Sequence, residues 1–356
     1  MKILSIVGAR PQFIKAAPVG RALAAAGLSE VLLHTGQHYD HKMSDVFFSE
    51  LGINVPRYNL GIGSGQHGAQ TGAMLAGIER VLLDEKPDWL LIYGDTNSTL
   101  AGALAAAKLL VPVAHVEAGL RSYNRAMPEE TNRLVADRLS SLLLCPTEAA
   151  ARNLALEGIN AGVLIVGDVM YDQVLWAAER IGRARDVHAS LGVKRGDYLL
   201  ATVHRASNTD SPERLGSIVD ALNSCGERVL FPLHPRTALA LALFGLEVSR
   251  NVKIIEPVSY LEMLALERDA RVVLTDSGGV QKEAFWLRVP CITMREETEW
   301  IETVESGWNR LVGTDVSKIL EALREPPPVT DPPAVYGDGR ASQRIAELLQ
   351  RGADNV

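Results

Sequence analysis

The sequence predicts an α/β protein of two doubly wound, parallel-sheet domains that face each other across a cleft. Short apolar runs alternate with longer amphipathic segments nearly from end to end, which is the pattern of βα units around a parallel sheet. With 356 residues the chain is long for one hydrophobic core, so two domains of about 170 residues each are expected. Side chains suited to chemistry recur just after the apolar runs, where open α/β sheets bind ligands.

The first series of strands is expected at Ile3–Val7, Val31–His34, Trp89–Tyr93, Val113–Val116, Leu142–Cys145 and Val163–Val166. A second series follows at Tyr198–Val203, Val229–Leu233, Lys253–Ile255, Val272–Leu274 and Cys291–Met294. Between them Ile181 to Arg195 is charged and less periodic, as suits a crossing between domains. The expected division is residues 1–168 for the first domain and 169–334 for the second. Residues 335–356 would carry a helix that returns to the first domain after the prolines at 326–328 and 332–333. No period of about 20 to 50 residues recurs, so a repeat array is set aside.

A formal net charge of −7 without a block of basic residues argues against nucleic acid or an anionic membrane as partner. Any anionic ligand must then be held by local cations. Cys145, Cys225 and Cys291 form an odd set without CxxC spacing. They are expected as buried thiols in a reducing cytoplasm. The apolar run Ile3–Val7 is too short for a signal-peptide core, and the Ala-rich stretch from Leu100 to Ala114 is broken by Lys108 and Pro112. A soluble, cytoplasmic protein is the expectation.

The segment Arg271 to Glu283 runs a buried-strand pattern straight into Ser277-Gly278-Gly279 and a helix start. Free N–H groups at a helix N-terminus attract an anion, and paired glycines let the backbone approach it closely. Glu283 would lie one turn further on, about where a ribose offers two hydroxyls. Arg10 and Lys15 follow the first strand, with Pro11 fit to open a helix. Asp95 follows the Tyr93-Gly94 strand end and is also placed to cap the next helix. Glu117 ends the Val113–Val116 run before a glycine turn, and Glu129 and Arg133 stand four apart, a spacing that allows them to pair. In the second half, His204-Arg205 and His234-Pro235-Arg236 follow strands in the same way. Three carboxylates facing a phosphate site would place acid and base groups on both faces of a bound sugar.

Gly63 to Gly68 satisfies GxGxxG, but Arg57 to Gly61 before it is a poor buried strand, so no nicotinamide cofactor is expected. His38 and His41 lack HExxH or paired-acid spacing, and no metal is expected either.

Taken together, these blocks resemble the non-hydrolysing UDP-N-acetylglucosamine 2-epimerase family over nearly the whole chain. They are Gly8-Ala-Arg-Pro-Gln12, Thr35-Gly-Gln-His38, Tyr93-Gly-Asp-Thr96, His115-Val-Glu-Ala-Gly-Leu-Arg121, Pro128-Glu-Glu-Thr-Asn-Arg133, His204-Arg205, His234-Pro235 and Thr275-Asp-Ser-Gly-Gly-Val-Gln281. The resemblance implies a glycosyltransferase-B-like fold, a homodimer, and inversion at C2 of a UDP-linked 2-acetamido sugar without metal or NAD. It implies elimination of UDP across C1–C2 to a glycal, then re-addition with a proton delivered to the opposite face. It assigns Asp95, Glu117 and Glu129 as the acid/base set, with Arg133 holding Glu129. His204, with Arg10, Ser277, Gly278 and Gly279, would stabilise the leaving diphosphate. Lys15, His234 and Arg236 join that pocket by position, Glu283 would hold the ribose, and Val258 and Met263 the uracil.

One departure stands out. Trp300 occupies a position where many members carry an arginine, which implies a lost cation. Residues 36–48 and Gln281-Lys-Glu283 look more like the branch of the UDP-2,3-diacetamido-2,3-dideoxyglucuronate 2-epimerases and archaeal-type enzymes, and weak or absent substrate activation is expected. The diacetamido uronic acid is therefore the rival substrate. A UDP-sugar glycosyltransferase and a nucleotide-sugar-binding regulator are the more distant readings; three acids favour epimerisation over the single base usual in a transferase.

Overall fold

A computed structural model of the chain describes residues 1–36, 48, 50–181 and 187–352. His38 and His41, and with them most of the block 36–48, lie outside the described residues. Two compact units divide the chain, one of Met1–Leu175 with Ala334–Val356 and the other of Trp176–Pro333.

The first unit holds a parallel sheet of seven strands: β1 (Lys2–Val7), β2 (Ser29–His34), β3 (Tyr58–Asn59), β4 (Trp89–Tyr93), β5 (Val113–Val116), β6 (Leu142–Cys145) and β7 (Val163–Ile165). Their order across the sheet is β3-β2-β1-β4-β5-β6-β7. The central strands are apolar without alternation because helices cover both faces; all five residues of β4, Trp-Leu-Leu-Ile-Tyr, are buried. The second unit repeats the scheme with β8 (Leu199–Thr202), β9 (Val229–Pro232), β10 (Val252–Ile255), β11 (Val272–Thr275), β12 (Cys291–Thr293) and β13 (Asn309–Leu311), ordered β10-β9-β8-β11-β12-β13. Each unit has its own apolar core.

Every expected strand is present within two residues at either end. The edge strands β3 and β13 were not expected. They are two and three residues long and lack an apolar run, since an edge strand has only one paired side to bury. The division falls after Leu175, inside the helix Val169–Ala178, rather than at 168. That helix is continuous, with no Pro or Gly in it to mark the change of unit. At the other end, the helix Ala341–Arg351 packs on the helix Arg10–Ala25 of the first unit. Its first turn is held by Asp172, whose carboxylate accepts from Ala341 N, Ser342 N and the Ser342 hydroxyl.

Both sheets reverse their winding direction between two neighbouring strands, β1 and β4 in the first unit and β8 and β11 in the second. Crevices at such switch points, beyond the carboxyl ends of the strands, are where doubly wound sheets bind ligands. No described helix is long and apolar enough to cross a membrane.

Candidate active site

The first unit's switch point is locked by Gln12. Its Oε1 accepts from Gly8 N at 2.8 Å and Ala9 N at 3.1 Å, while Nε2 donates to the Tyr93 carbonyl at 2.9 Å and Thr99 Oγ1 at 3.1 Å. One buried amide thus ties the end of β1 to the end of β4. Helix Arg10–Ala25 starts here with Pro11 in its first turn, and it brings Lys15 inward. Lys15 Nζ lies 2.5 Å from Glu117 Oε1, and both residues are buried.

Glu117 has φ 71°, a left-handed conformation that costs a non-glycine residue about 1–2 kcal/mol. The turn is held from below, with Glu117 N and Ala118 N both donating to the Leu144 carbonyl. Strain of this kind collects where a side chain must be aimed. Gly94, before Asp95, has φ 61°, and a Cβ there would come within 2.9 Å of Lys15 Nζ.

Asp95 does not cap the helix that follows. Thr96 is the N-cap of Asn97–Lys108, its hydroxyl accepting from Thr99 N. Asp95 is instead half-buried and ion-paired with Arg133 Nη2, and Asn132 Nδ2 holds its carbonyl at 2.9 Å. The expected Glu129–Arg133 pair is not formed. Arg133 Nη1 pairs with Glu130 Oε2 at 2.9 Å, so its ion pairs run to Asp95 and Glu130. Glu130 faces the protein interior and also caps Ser122 N and Tyr123 N. Glu129, one residue earlier, points along a different helix face and is half-buried. Glu117 and Asp95 are thus brought together at the switch point, each against a cation.

Below them lies a buried polar cluster. Asp137 accepts from His115 Nδ1 at 2.7 Å, Arg121 Nη1 at 2.7 Å and Gly119 N at 3.2 Å. Burial raises the Asp137 pKa, but His115 and Arg121 outweigh it and leave the carboxyl below its ordinary range. Arg121 forms a second, bidentate pair with Glu157 at 2.6 and 2.8 Å.

In the second unit the switch point is organised by Asp276, which has no exposure. It accepts from His204 N, Arg205 N and Asn208 Nδ2, all at 3.0–3.1 Å. Asp276 therefore fixes the loop after β8 against the loop after β11, and His204 Nδ1 lies 3.4 Å from it. The next residue, Ser277, is the N-cap of helix Gly278–Trp286, accepting from Val280 N. The N–H groups of Gly278 and Gly279 open the helix and have no intrahelical partner by position, the arrangement an anion needs. Glu283 is buried one turn on.

His234 caps the helix Pro235–Phe244 through Nδ1, and its ring centroid is 5.6 Å from that of His204. Arg236 is held in an exposed ion pair. Its Nη2 binds both oxygens of Asp210 at 2.7 Å, because the short helix after His204 sets Asp210 opposite it. Val258 and Met263 are half-buried around the N-terminus of helix Tyr260–Arg268, where Ser259 and Glu262 form a reciprocal capping box. Trp300 packs against the phosphate-type turn, since a Cβ on Gly278 would meet Trp300 Nε1 at 3.1 Å. Its ring is covered by Lys282 Nζ at 3.6 Å from the centroid, so a cation is present beside position 300 after all.

Sequence reasoning did not single out Gln12, His115, Asp137, Asp276 or Lys282. A polar residue within an apolar run, such as His115 in Val113-Ala-His-Val116, was the available signal. Its partners lie 21 and 22 residues away and no spacing rule connects them.

These two units define a class, an α/β protein with a carboxylate-rich switch point in one Rossmann-like unit and a Ser-Gly-Gly helix start at the switch point of the other. Comparison with known proteins narrows the class. The family profile described as UDP-N-acetylglucosamine 2-epimerase matches residues 21–350. A UDP-N-acetylglucosamine 2-epimerase homolog of Methanococcus maripaludis is 52% identical, covering 98% of this chain and 99% of that one. The UDP-2,3-diacetamido-2,3-dideoxy-D-glucuronate 2-epimerase of Pseudomonas aeruginosa is 51% identical over 99% of this chain and 100% of its own. The crystal structure of Methanocaldococcus jannaschii UDP-GlcNAc 2-epimerase, in complex with UDP-GlcNAc and UDP, superposes with a TM-score of 0.92 at 46% identity, covering 99% and 100% of the two chains. The chain belongs to the UDP-N-acetylglucosamine 2-epimerase family.

Proposed function

We propose that this protein is an isomerase that inverts C2 of a UDP-linked 2-acetamido sugar, converting UDP-GlcNAc to UDP-ManNAc. The observation that carries the reading is the pairing of Glu117 with Lys15 and of Asp95 with Arg133 at one switch point. Each pair fixes a carboxylate against a cation at the end of a sheet strand, where it is placed for proton transfer. Family membership supports the same reaction.

C2 of such a sugar has no neighbouring carbonyl to acidify its proton. Elimination avoids the problem: a carboxylate takes the C2 proton as the C1–O bond to UDP breaks, leaving a glycal and UDP in the site. Re-addition reverses the electron flow, with UDP oxygen bonding to C1 and a carboxylic acid delivering a proton to the other face of C2. Asp95, Glu117 and Glu129 are the acid/base candidates, and Arg133 sets the position of Asp95. His204, Arg10 and the N–H groups at Ser277–Gly279 receive the charge that develops on the departing diphosphate. Glu283 is assigned to the ribose and Val258 and Met263 to the uracil. UDP is retained rather than exchanged, and the reading needs neither metal nor NAD. A cytoplasmic homodimer serving polysaccharide biosynthesis belongs to the same proposal.

The 51% identity to the Pseudomonas enzyme favours a second substrate, the UDP-linked 2,3-diacetamido uronic acid. Incubation of each nucleotide sugar in deuterium oxide separates the cases. Deuterium at C2 together with the manno epimer is expected from UDP-GlcNAc, and exchange only with the uronic acid moves the assignment to the rival. Exchange with neither substrate overturns the epimerase reading.

A further inference from the structure

We propose that His115 is held as an imidazolium and acts as a positioning residue, fixing the Asp95 turn and the Glu117 turn to one another. The ring sits on β5 with no exposure to solvent. Its Nε2 lies 2.7 Å from the Gly94 carbonyl and its Nδ1 2.7 Å from Asp137 Oδ1. A carbonyl oxygen only accepts, so Nε2 carries a hydrogen. Asp137 is ionised, with Arg121 and Gly119 N donating to it as well, and a carboxylate only accepts. Nδ1 therefore carries a hydrogen too. A neutral imidazole has one N–H; this site uses two.

The charges around the ring agree. Asp137 faces it from helix Pro128–Leu139, Arg121 from the loop after β5, and Glu157 from beyond helix Glu148–Leu156. Lys15 and Glu117 cancel one another. Cys145 on β6 adds no charge, because burial pushes its thiol up to about 12. Arg121 stands between the two carboxylates, and Arg138 Nη2 reaches the Glu157 carbonyl at 3.1 Å from the outer side. Buried charge is tolerated when it is paired in this way.

The role follows from what the ring holds. Gly94 immediately precedes Asp95 and packs against the Lys15–Glu117 pair. His115 itself is two residues before Glu117, whose turn Asp137 holds through Gly119 N. One charged ring thus sets the separation of the two carboxylates, and that function rests on the acid/base assignment proposed above.

The test uses the full chain with histidine labelled by nitrogen-15. At about pH 7.5 an unperturbed imidazole is mostly neutral. The spectrum is expected to contain one ring with both nitrogens protonated, absent from the His115→Asn variant. A neutral tautomer at His115 overturns the proposal, and this reading needs no turnover. An inactive wild-type protein would therefore refute the epimerase assignment while the charge on His115 is still decided. Asp137→Asn keeps the side-chain size and is expected to return His115 to the neutral form. It should lower kcat about 10²-fold through misplacement of the carboxylates, with KM within about twofold of wild type. An Asp137→Asn enzyme with wild-type kcat overturns the positioning role.

Discussion

Glu117 combines a left-handed backbone, a buried lysine partner and a glycine neighbour that leaves it room. Replacing it by Gln keeps the shape and removes the proton-transfer group. Turnover by Glu117→Gln is expected to fall about 10²–10⁴-fold while UDP binding to the isolated variant persists. Near-normal turnover would remove Glu117 from the acid/base set. Lys15 has a separate, structural consequence. Lys15→Met removes the cation 2.5 Å from the buried Glu117 carboxylate, and denaturant titration should show a loss of about 3–5 kcal/mol. The double variant Lys15→Met/Glu117→Gln should recover most of it. His34 makes a third prediction. Burial lowers its pKa from 6.5 to about 4, and its neutral Nδ1 accepts from Gly36 N at 2.6 Å. A depressed folded-state value means the stabilisation is complete above about pH 6.5 and is lost as pH falls toward 4. At about 1.4 kcal/mol per unit, the loss across that window is roughly 3 kcal/mol. Melting curves of His34→Gln should be correspondingly flatter between those pH values; an unchanged slope would show that His34 does not titrate there.

At the scale of elements, the loop from β5 into helix Pro128–Leu139 carries the tightest constraint near the carboxylates. Gly119 has φ 81°, and a Cβ would come within 2.4 Å of the Ala150 carbonyl. Backbone cannot retreat as a flexible side chain can. Gly119→Ala is expected to cost about 2 kcal/mol or more, from both the left-handed conformation and the collision. Differential scanning calorimetry would show it as a lowered Tm, and a variant that melts with wild type would mean the loop relaxes freely. The glycines of the other turn act differently. Gly278 is placed so that the neighbouring Trp300 can lie close to the helix start, a contact that binary patterning does not encode. Most strands were legible because a parallel strand covered on both faces must be apolar throughout. The edge strands were not, since pairing rather than burial makes them.

For the whole molecule, the return of the C-terminal helix to the first unit joins the two ends of the chain. Ile345 and Leu349 are fully buried, and the helix packs on Arg10–Ala25, the same helix that carries Lys15. Ile345→Ala should destabilise the protein by about 2–5 kcal/mol, measured by denaturant unfolding. A loss below about 1 kcal/mol would mean the helix contributes little to the first unit. Proline-rich residues 326–333 announced the crossing in the sequence, whereas the boundary near 175 had no such mark because one helix runs through it.

The sequence by itself determined the two parallel-sheet units, the strand ends at which chemistry gathers, and the helix start at Ser277. Each depends on local patterns, whether apolar runs, turn residues or capping side chains, that read the same in any context. Tertiary structure alone decided the partners. Arg133 stands four residues from Glu129 and three from Glu130, yet it binds Asp95 from 38 residues away together with Glu130. Asp137, His115 and Gly94 likewise meet because helix Pro128–Leu139 packs beside β5, whose neighbour β4 ends just before Gly94. Helical spacing says which side chains are able to meet; burial and the sheet order choose among them, because an interior carboxylate must end against whichever cation the fold brings to it.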